Sequence, residues 1–442
     1  MKYLSRIVTI SFLQAFIAIM MLSSCNKEPA QIQGTVTPPV TGISLGATIT
    51  ATPDNSLYLA LINRAGLLST INNTAASYTM IVPGNDAMKG FINAIGGVPL
   101  TAPDDVFLGF IATYIPVATA NAIVSYNILP QVVHAADIPA TFPNLQYPSI
   151  FNPAPQVSDL LRLTTFPSRV NGAWVNNIPL TAVDIAASNG VIHNSAFLVT
   201  PPSTYLWDRI STDTSLTYLK AAILRADSGT GNPNSVPAVP GSLQSGLMNI
   251  GANLTVFAPT NAAFRTTLTG AIYLGLLPLV TLQLTAAYIA GGMTPDDAAA
   301  KAAIDAPPIA FAQATQLAST PDVFSNPLLF STLTAQTVGG ILVYHILGSR
   351  AFTNNFPTTP TLTKTLLNGA IPTHPGVTLS GTFTLPFPFV TSATVQGAYN
   401  ATPANVIINA SPLTPDPFGT SDQHYLNGVL HKIDQVLIPL PL

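Results

Sequence analysis

Six histidines, one cysteine and 18 carboxylates are the groups in this 442-residue chain with the types to shuttle protons, ligate metal or attack a substrate. Their spacing argues against most of that chemistry. No His-Glu-x-x-His, Walker loop, Gly-rich dinucleotide fingerprint or Cys pair occurs. His193, His345 and His431 lie in strand-like or helix-end stretches and read as hydrogen-bonded structural groups. His134, His374 and His424 lie in loop-like contexts and read as solvent-exposed, with Asp422, His424 and Tyr425 forming a small local polar site. Gly42-Ile43-Ser44-Leu45-Gly46 has nucleophile-elbow spacing, but a Pro-rich segment precedes it where that motif needs a strand. The adjacent pairs Asp104-Asp105 and Asp296-Asp297 would point about 100° apart on a helix, which suits a helix start better than a paired acid and base. No loop around them supplies the other oxygens of a calcium site. The expectation is therefore no catalytic residue, no metal and no cofactor. Trp174, after Asn171-Gly172-Ala173, falls in a turn, where edge packing is the default reading and an exposed aromatic able to stack on sugar or anchor a protein is the alternative. Trp207 is expected at a domain junction, and Phe383, Phe387 and Phe389 in a sticky loop or a strand covering the core.

Composition sets what must position these groups. Apolar residues are 48% of the chain, enough for sizeable cores, whereas charged residues are 7%, against about 25% in an average protein. Fifteen basic residues without a dense patch do not make a nucleic-acid surface. The mean hydropathy of +0.42 raises the question of membrane spans. The uncharged stretch Ala271 to Met293 carries Pro278, Thr281, Gln283, Thr285 and three glycines, and reads as a buried or surface-packed helix pair. The alternating ten-residue rhythm of a transmembrane barrel is not sustained.

The N-terminus reads as a targeting segment. Lys2 and Arg6 precede the apolar stretch Ile7 to Leu22, then Leu22-Ser23-Ser24-Cys25. This resembles a bacterial lipoprotein signal, which implies a signal peptide over 1–24 and palmitate-type acylation of Cys25, the only cysteine. Several acyl chains anchor stably where one does not. Asn26-Lys27-Glu28 resembles the signal that sends some Bacteroidetes lipoproteins to the cell surface. The expected location is the outer membrane, displayed outward, with the periplasmic face as the alternative. Residues 25–44, with Pro38-Pro39, read as a flexible tether.

The remainder repeats. Tyr78-Thr79-Met80-Ile81-Val82-Pro83-Gly84-Asn85-Asp86-Ala87-Met88 matches Leu254-Thr255-Val256-Phe257-Ala258-Pro259-Thr260-Asn261-Ala262-Ala263-Phe264, 176 residues on. Val124-Ser125-Tyr126-Asn127-Ile128-Leu129 matches Leu342-Val343-Tyr344-His345-Ile346-Leu347, 218 residues on. Asn189-Gly190-Val191-Ile192-His193 matches Asn427-Gly428-Val429-Leu430-His431, 238 residues on. Three boxes in one order point to duplication. The growing offsets place about 42 and about 20 extra residues in the second copy, in segments including Ala271 to Pro327 and parts of Thr353 to Phe418. Insertions of that size belong on loops or added helices.

These boxes resemble the fasciclin domain family, strongly in the second copy. Copy one departs at Asn127, Gly84 and Met88. The resemblance implies an α+β fold of two tandem fasciclin-like domains over 45–202 and 203–442, each a β-sandwich or wedge flanked by short helices. The box residues Pro83, Asn85, Tyr126, Asn189, Gly190, His193, Pro259, Thr260, Asn261, Phe264, Tyr344, His345, Asn427, Gly428 and His431 are expected to be mainly structural.

Residue types support the boxes independently. Leu254, Val256 and Ala258 suit a buried strand that Pro259 ends. Thr260 or Asn261 then caps a helix whose Phe264 turns inward, and Asn85 or Asp86 does the same in copy one. Asn427-Gly428 is a turn pair, and Val429 to Ile438 reads as a strand. Ser56 to Ile71 and Leu206 to Arg225 are helical, with strands dominating after Thr164 and Leu366. The functional expectation is an envelope-anchored adhesion or binding lipoprotein, not an enzyme. Its partners would be the membrane, through the lipid, and a protein or polysaccharide gripped through the second-copy insertions. The alternatives are an accessory subunit of a glycan-uptake complex and, further off, a glycan-active enzyme.

Overall fold

The computed structural model describes residues 42–228, 241–384, 389–409 and 419–440. The leader, Cys25, most of the tether and Phe387 lie outside the described residues. The fold is α+β.

In the first half, helices α1 (Leu45–Ala51), α2 (Ser56–Ala65) and α3 (Leu68–Ile71) precede strand β1 (Tyr78–Pro83). Leu57, Tyr58, Leu61, Ile62 and Ala65 recur at three- and four-residue spacing on α2, and all are buried. The helix stops at Gly66, whose φ of 73° closes its C-terminus. Helices α4 (Asn85–Gly96), α5 (Asp104–Tyr114) and α6 (Val117–Tyr126) follow, then strands β2 (Ile128–Leu129), β3 (Tyr147–Pro148), β4 (Thr164–Thr165), β5 (Pro167–Ser168), β6 (Trp174–Val175), β7 (Ile178–Ala187) and β8 (Gly190–Ser195). The main sheet has the order β2-β1-β8-β7-β6-β5. β1 and β8 are parallel, with Met80 opposite Ile192 and Ile81 opposite His193, and β2 runs antiparallel to β1.

The second half repeats this plan. Helices α7 (Leu206–Thr212), α8 (Thr217–Asp227) and α9 (Leu243–Leu247) lead to β9 (Leu254–Pro259). Strands β10 (Ile346–Leu347), β15 (Gln423–Tyr425) and β16 (Gly428–Ile433) complete a sheet ordered β10-β9-β16-β15. β9 and β16 are again parallel, with Val256 opposite Leu430 and Phe257 opposite His431. The parallel neighbours in each half are therefore the first and last boxes. Every side chain of β9 and β16 is buried, as expected of strands covered on both faces. Trp207 packs into this half's own core.

Between β9 and β10 rises a helical hairpin, α10 (Asn261–Ala290) and α11 (Pro295–Leu317), followed by α12 (Ala335–Tyr344). Ala298, Ala302, Ala306, Ala310 and Ala314 make one buried face of α11 at four-residue spacing, which lets the helices lie close. Residues after β10 add β11 (Thr361–Thr363), a short helix α13 (Leu367–Ala370), β12 (Val377–Thr384), β13 (Phe389–Gln396) and β14 (Ala404–Asn405), which form a separate antiparallel sheet in that order. Phe383 is a strand residue at a register shift in it.

Two local expectations need correction. β16 ends at Ile433, not Ile438, because its ladder partner β9 ends at Pro259, which has no N–H to continue it. In the first half neither Asn85 nor Asp86 caps α4. The N-cap is Gly84, which has no side chain, and Asp54 Oδ1 accepts from the Asn85 N–H at 3.2 Å instead. In copy two Thr260 is the cap, its Oγ1 accepting from Ala263 N, while Phe264 is buried as expected.

Candidate functional site

The box residues hold backbone to backbone, and the same bonds recur in both halves. Asn189 Oδ1 accepts from Leu45 N at 2.8 Å, and its Nδ2 donates to Ile71 O at 2.9 Å. Asn427 does the same with Leu206 N at 3.0 Å and Leu247 O at 2.8 Å. Asn85 Oδ1 accepts from Leu57 N at 3.0 Å, and Asn261 Oδ1 from Tyr218 N at 3.1 Å. The hydroxyl of Tyr126 donates to Thr164 O and that of Tyr344 to Gly376 O. Pro83 and Pro259 close the two central strands. Gly190 and Gly428 sit where a Cβ would lie 1.9 Å from Tyr78 O and 2.6 Å from Leu254 O respectively, so only glycine lets the parallel strands meet.

The central pair differs between copies in an informative way. His345 Nδ1–H donates to Ile341 O at 2.8 Å, and Nε2 accepts from Leu437 N at 2.8 Å. Both ring nitrogens are used by the neutral form, and burial pushes the pKa down to about 4. Asn127 occupies the matching place, its Nδ2 donating to Ile123 O at 2.8 Å and to Val199 O at 2.7 Å, while Oδ1 has no partner.

His193 and His431 complete the pattern. His431 Nε2–H donates to Ala351 O at 2.8 Å and Nδ1 accepts from Asp422 N at 3.0 Å. His193 bonds Val133 O at 2.9 Å and Asp184 N at 3.1 Å. Burial holds both below the ordinary histidine value, with a nearby aspartate opposing the shift in each. Asp184 and Asp422 have left-handed φ of 58° and 53°. Each carboxylate then accepts from a second segment: Asp184 from Ala135 N at 3.0 Å, Asp422 from Thr353 N at 2.7 Å. Sequence reasoning left Asp184 out. Its signal was present, since each aspartate stands six residues before the Gly of an Asn-Gly pair.

Around Asp422 the two halves meet. Arg350 is buried, its Nη1 bonded to His424 Nε2 at 2.5 Å and its Nη2 donating to Leu426 O at 2.6 Å. Its guanidinium carbon lies 5.0 Å from the ring centre of Phe166, in the first half. Burial lowers the Arg350 pKa to about 10, and burial together with the Arg350 charge holds His424 well below its usual range. The rings of Phe166 and Phe352 meet at a tilt with centroids 5.8 Å apart and cluster with Val429. Leu426 packs among first-half residues Ile81, Tyr126 and Val175, and Asn171 Nδ2 donates to Asn354 O and Phe356 O at 3.1 Å. Ser168 Oγ donates to Asn355 Oδ1 at 2.5 Å, and Asn355 also bonds Asn144.

Two histidines are therefore not the exposed loop groups expected. His424 lies in β15 with its ring edge-on to Phe166 and Phe352. His374 is buried, bonded to Pro439 O at 2.8 Å and accepting from Gly376 N at 3.1 Å. Trp174 is also not exposed. It is 3% accessible, because the left-handed Asn171 and Gly172 turn its indole back so that Nε1 donates to Asn171 O. It offers no surface to a sugar. Among the described residues, no group of three or more His, Cys, Asp or Glu side chains has metal-binding geometry.

Residues 53–194 match the model of the fasciclin domain. That fasciclin segment runs from just before α2 to the end of β8, so it contains the first-half boxes and the β1–β8 pair. Among solved structures, the chain is similar to a FAS1 domain pair from the insect cell adhesion molecule fasciclin I. The identity is 13%, over 87% of this chain and 96% of that one, with a TM-score of 0.27. No curated protein matches the chain.

Proposed function

We propose that the chain is a tandem fasciclin-type binding protein, held to the cell envelope by an acylated Cys25, that grips a protein or polysaccharide partner. The observation that carries this reading is the recurrence, in the second half, of most of the buried bond patterns found in the matched segment, the central Asn127 and His345 position excepted. The Asn189 and Asn427 bonds, the histidine–aspartate bonds and the parallel central strands agree residue for residue. The ring nitrogens of His193, His345, His374 and His431 are spent on backbone groups, which supports a scaffold role for them. The seam between the halves supports a fixed presentation of two modules, and the second-half insertions supply surface that the first half lacks.

The test is capture on an array of glycans and matrix proteins by residues 26–442. Saturable binding that weakens when α10 and α11 are replaced by a short Gly-Ser turn is the expected result. Uniform blankness across glycan and protein spots would end the binding reading. Anchoring is tested apart from binding, by labelled palmitate incorporation in cells, with Cys25→Ser expected to abolish it.

A further inference from the structure

Among the described residues, one helix, α10, is long and apolar enough to cross a membrane. Two ordinary explanations for such a helix do not apply. It is not a leader, since it lies in mid-chain. It is not a core helix, since only Ala263, Phe264, Leu268, Ile272 and Val280 of its thirty residues are buried.

Its two sides do different things. Tyr273, Leu276, Leu277, Val280 and Leu284 pack toward the alanine face of α11, and the Tyr288 hydroxyl donates to Asp305 Oδ2 at 2.6 Å. The opposite side carries Leu274 (61% exposed), Leu279 (57%), Leu282 (68%) and Ile289 (43%), continued by Met293 past the helix end. Leu274, Leu282 and Ile289 fall within one quadrant of the helix, and the stripe from Leu274 to Met293 is about 30 Å long at 1.5 Å per residue. No charged residue occurs from Thr266 to Pro295. A helix apolar over most of its surface is ordinarily enclosed, by protein or by lipid, and the polar groups beside this stripe, Thr281, Gln283 and Thr285, are few and uncharged, unlike the polar rim of a protein-docking face.

We infer that the outer face of α10 is a lipid-contacting surface that beds in the headgroup–acyl boundary of a bilayer while α11 stays on the water side. Asp296, Asp297, Lys301 and Asp305 all lie in the first half of α11, at the distal end of the hairpin. A spanning hairpin would carry all four through hydrocarbon, which is costly, whereas a hairpin lying flat keeps them behind α10. The bilayer as occupant rests on the anchoring reading: Cys25 stands 17 residues before Gly42, a tether of at most roughly 60 Å. An acyl anchor at that distance turns the α10 contact into an intramolecular second attachment.

The test uses the unacylated chain, residues 26–442, which keeps every described residue, with phosphatidylcholine vesicles in a flotation assay. The expected result is flotation of the parent chain and at least tenfold weaker partition of the Leu274→Ser, Leu282→Ser, Ile289→Ser triple variant, with an unchanged thermal melt. Leu282→Trp, at an exposed position, gives an independent readout. Its emission should shift to the blue with vesicles and be quenched by brominated lipid, over the constant background of buried Trp174 and Trp207. A parent chain that stays in the aqueous phase overturns the inference, as does equal flotation of the triple variant or an unmoved Leu282→Trp emission. A dimer that the triple variant dissociates, without vesicle binding, would assign the face to a second copy instead. Because no acyl group is present in this assay, failure of Cys25 labelling in cells and failure of vesicle binding are separate results.

Discussion

At the scale of the residue, the buried histidines tie stability to pH. Folded His345 is held neutral down to about pH 4, whereas an unfolded histidine takes a proton near 6.5. Above pH 6.5 both states are neutral, and this group's contribution is complete. As the pH falls toward 4, the unfolded chain binds a proton that the fold refuses, and stability is lost, by about 3 kcal/mol for this one site. Replacing His345 by the residue of the other copy isolates the effect. His345→Asn is expected to cost about 1–3 kcal/mol at pH 7, because Leu437 N–H loses the Nε2 acceptor. It is also expected to flatten the stability profile between pH 6.5 and 4 by about 3 kcal/mol relative to the parent. Urea unfolding across that range measures both. The position of His345 was legible from its box, and so was that of its counterpart Asn127. What each bonds was not, because Leu437 and Val199 are 92 and 72 residues away in sequence. Trp174 shows the converse: its turn was legible, and the structure takes the packed alternative over the exposed one, a choice the turn sequence could not make because it gives no information on which way the turn folds the ring.

At the scale of the element, strands and helices of the boxes follow from short patterns, while the insertions depend on packing. The parallel pairing of first and last boxes has no local signature, since more than a hundred residues separate β1 from β8. The helix-pair expectation for Ala271 to Met293 was right about helix and wrong about the pair. The stretch belongs to one helix, α10, which continues from the Thr260 cap through Pro278 without a break, and its partner α11 begins only at Pro295. Exposure was illegible for a physical reason. A stretch that is apolar on every side looks the same whether protein encloses it or not. The alanine face of α11 is what sets the hairpin's geometry. Ala306 touches Val280 in a small cluster of the hairpin itself, so Ala306→Leu is expected to force the helices apart at a cost of about 1–3 kcal/mol. Ala306 and Val280 lie in a cluster apart from the second-half core, so the damage should stay local. Hydrogen exchange should quicken in α10 and α11 and remain slow in β9 and β16.

At the scale of the molecule, the seam decides whether two modules behave as two or as one. Phe352 clusters with Phe166 of the first half and Val429 of the second, so its ring bridges the halves in a small apolar cluster of its own. Arg350 sits beside it as a buried cation whose partners among the described residues are His424, Leu426 O and the face of Phe166, with no carboxylate among them. The two side chains should therefore contribute differently. Removing the Phe352 ring leaves a cavity between halves and should cost about 3–5 kcal/mol. Replacing Arg350 by Met removes two hydrogen bonds but also the desolvation of an uncompensated charge, so its cost should be the smaller of the two. Coupling makes a sharper expectation than either magnitude. If the seam joins the halves, the parent chain melts in one calorimetric transition, and Phe352→Ala splits it into two, one for each half. Limited proteolysis should then cut the variant between β8 and α7, at the linker before Tyr205, under conditions where the parent chain resists. A parent chain that already melts in two steps, unchanged by Phe352→Ala, would mean that the aromatic contact and the asparagine bonds around it hold the halves together without making them fold as one.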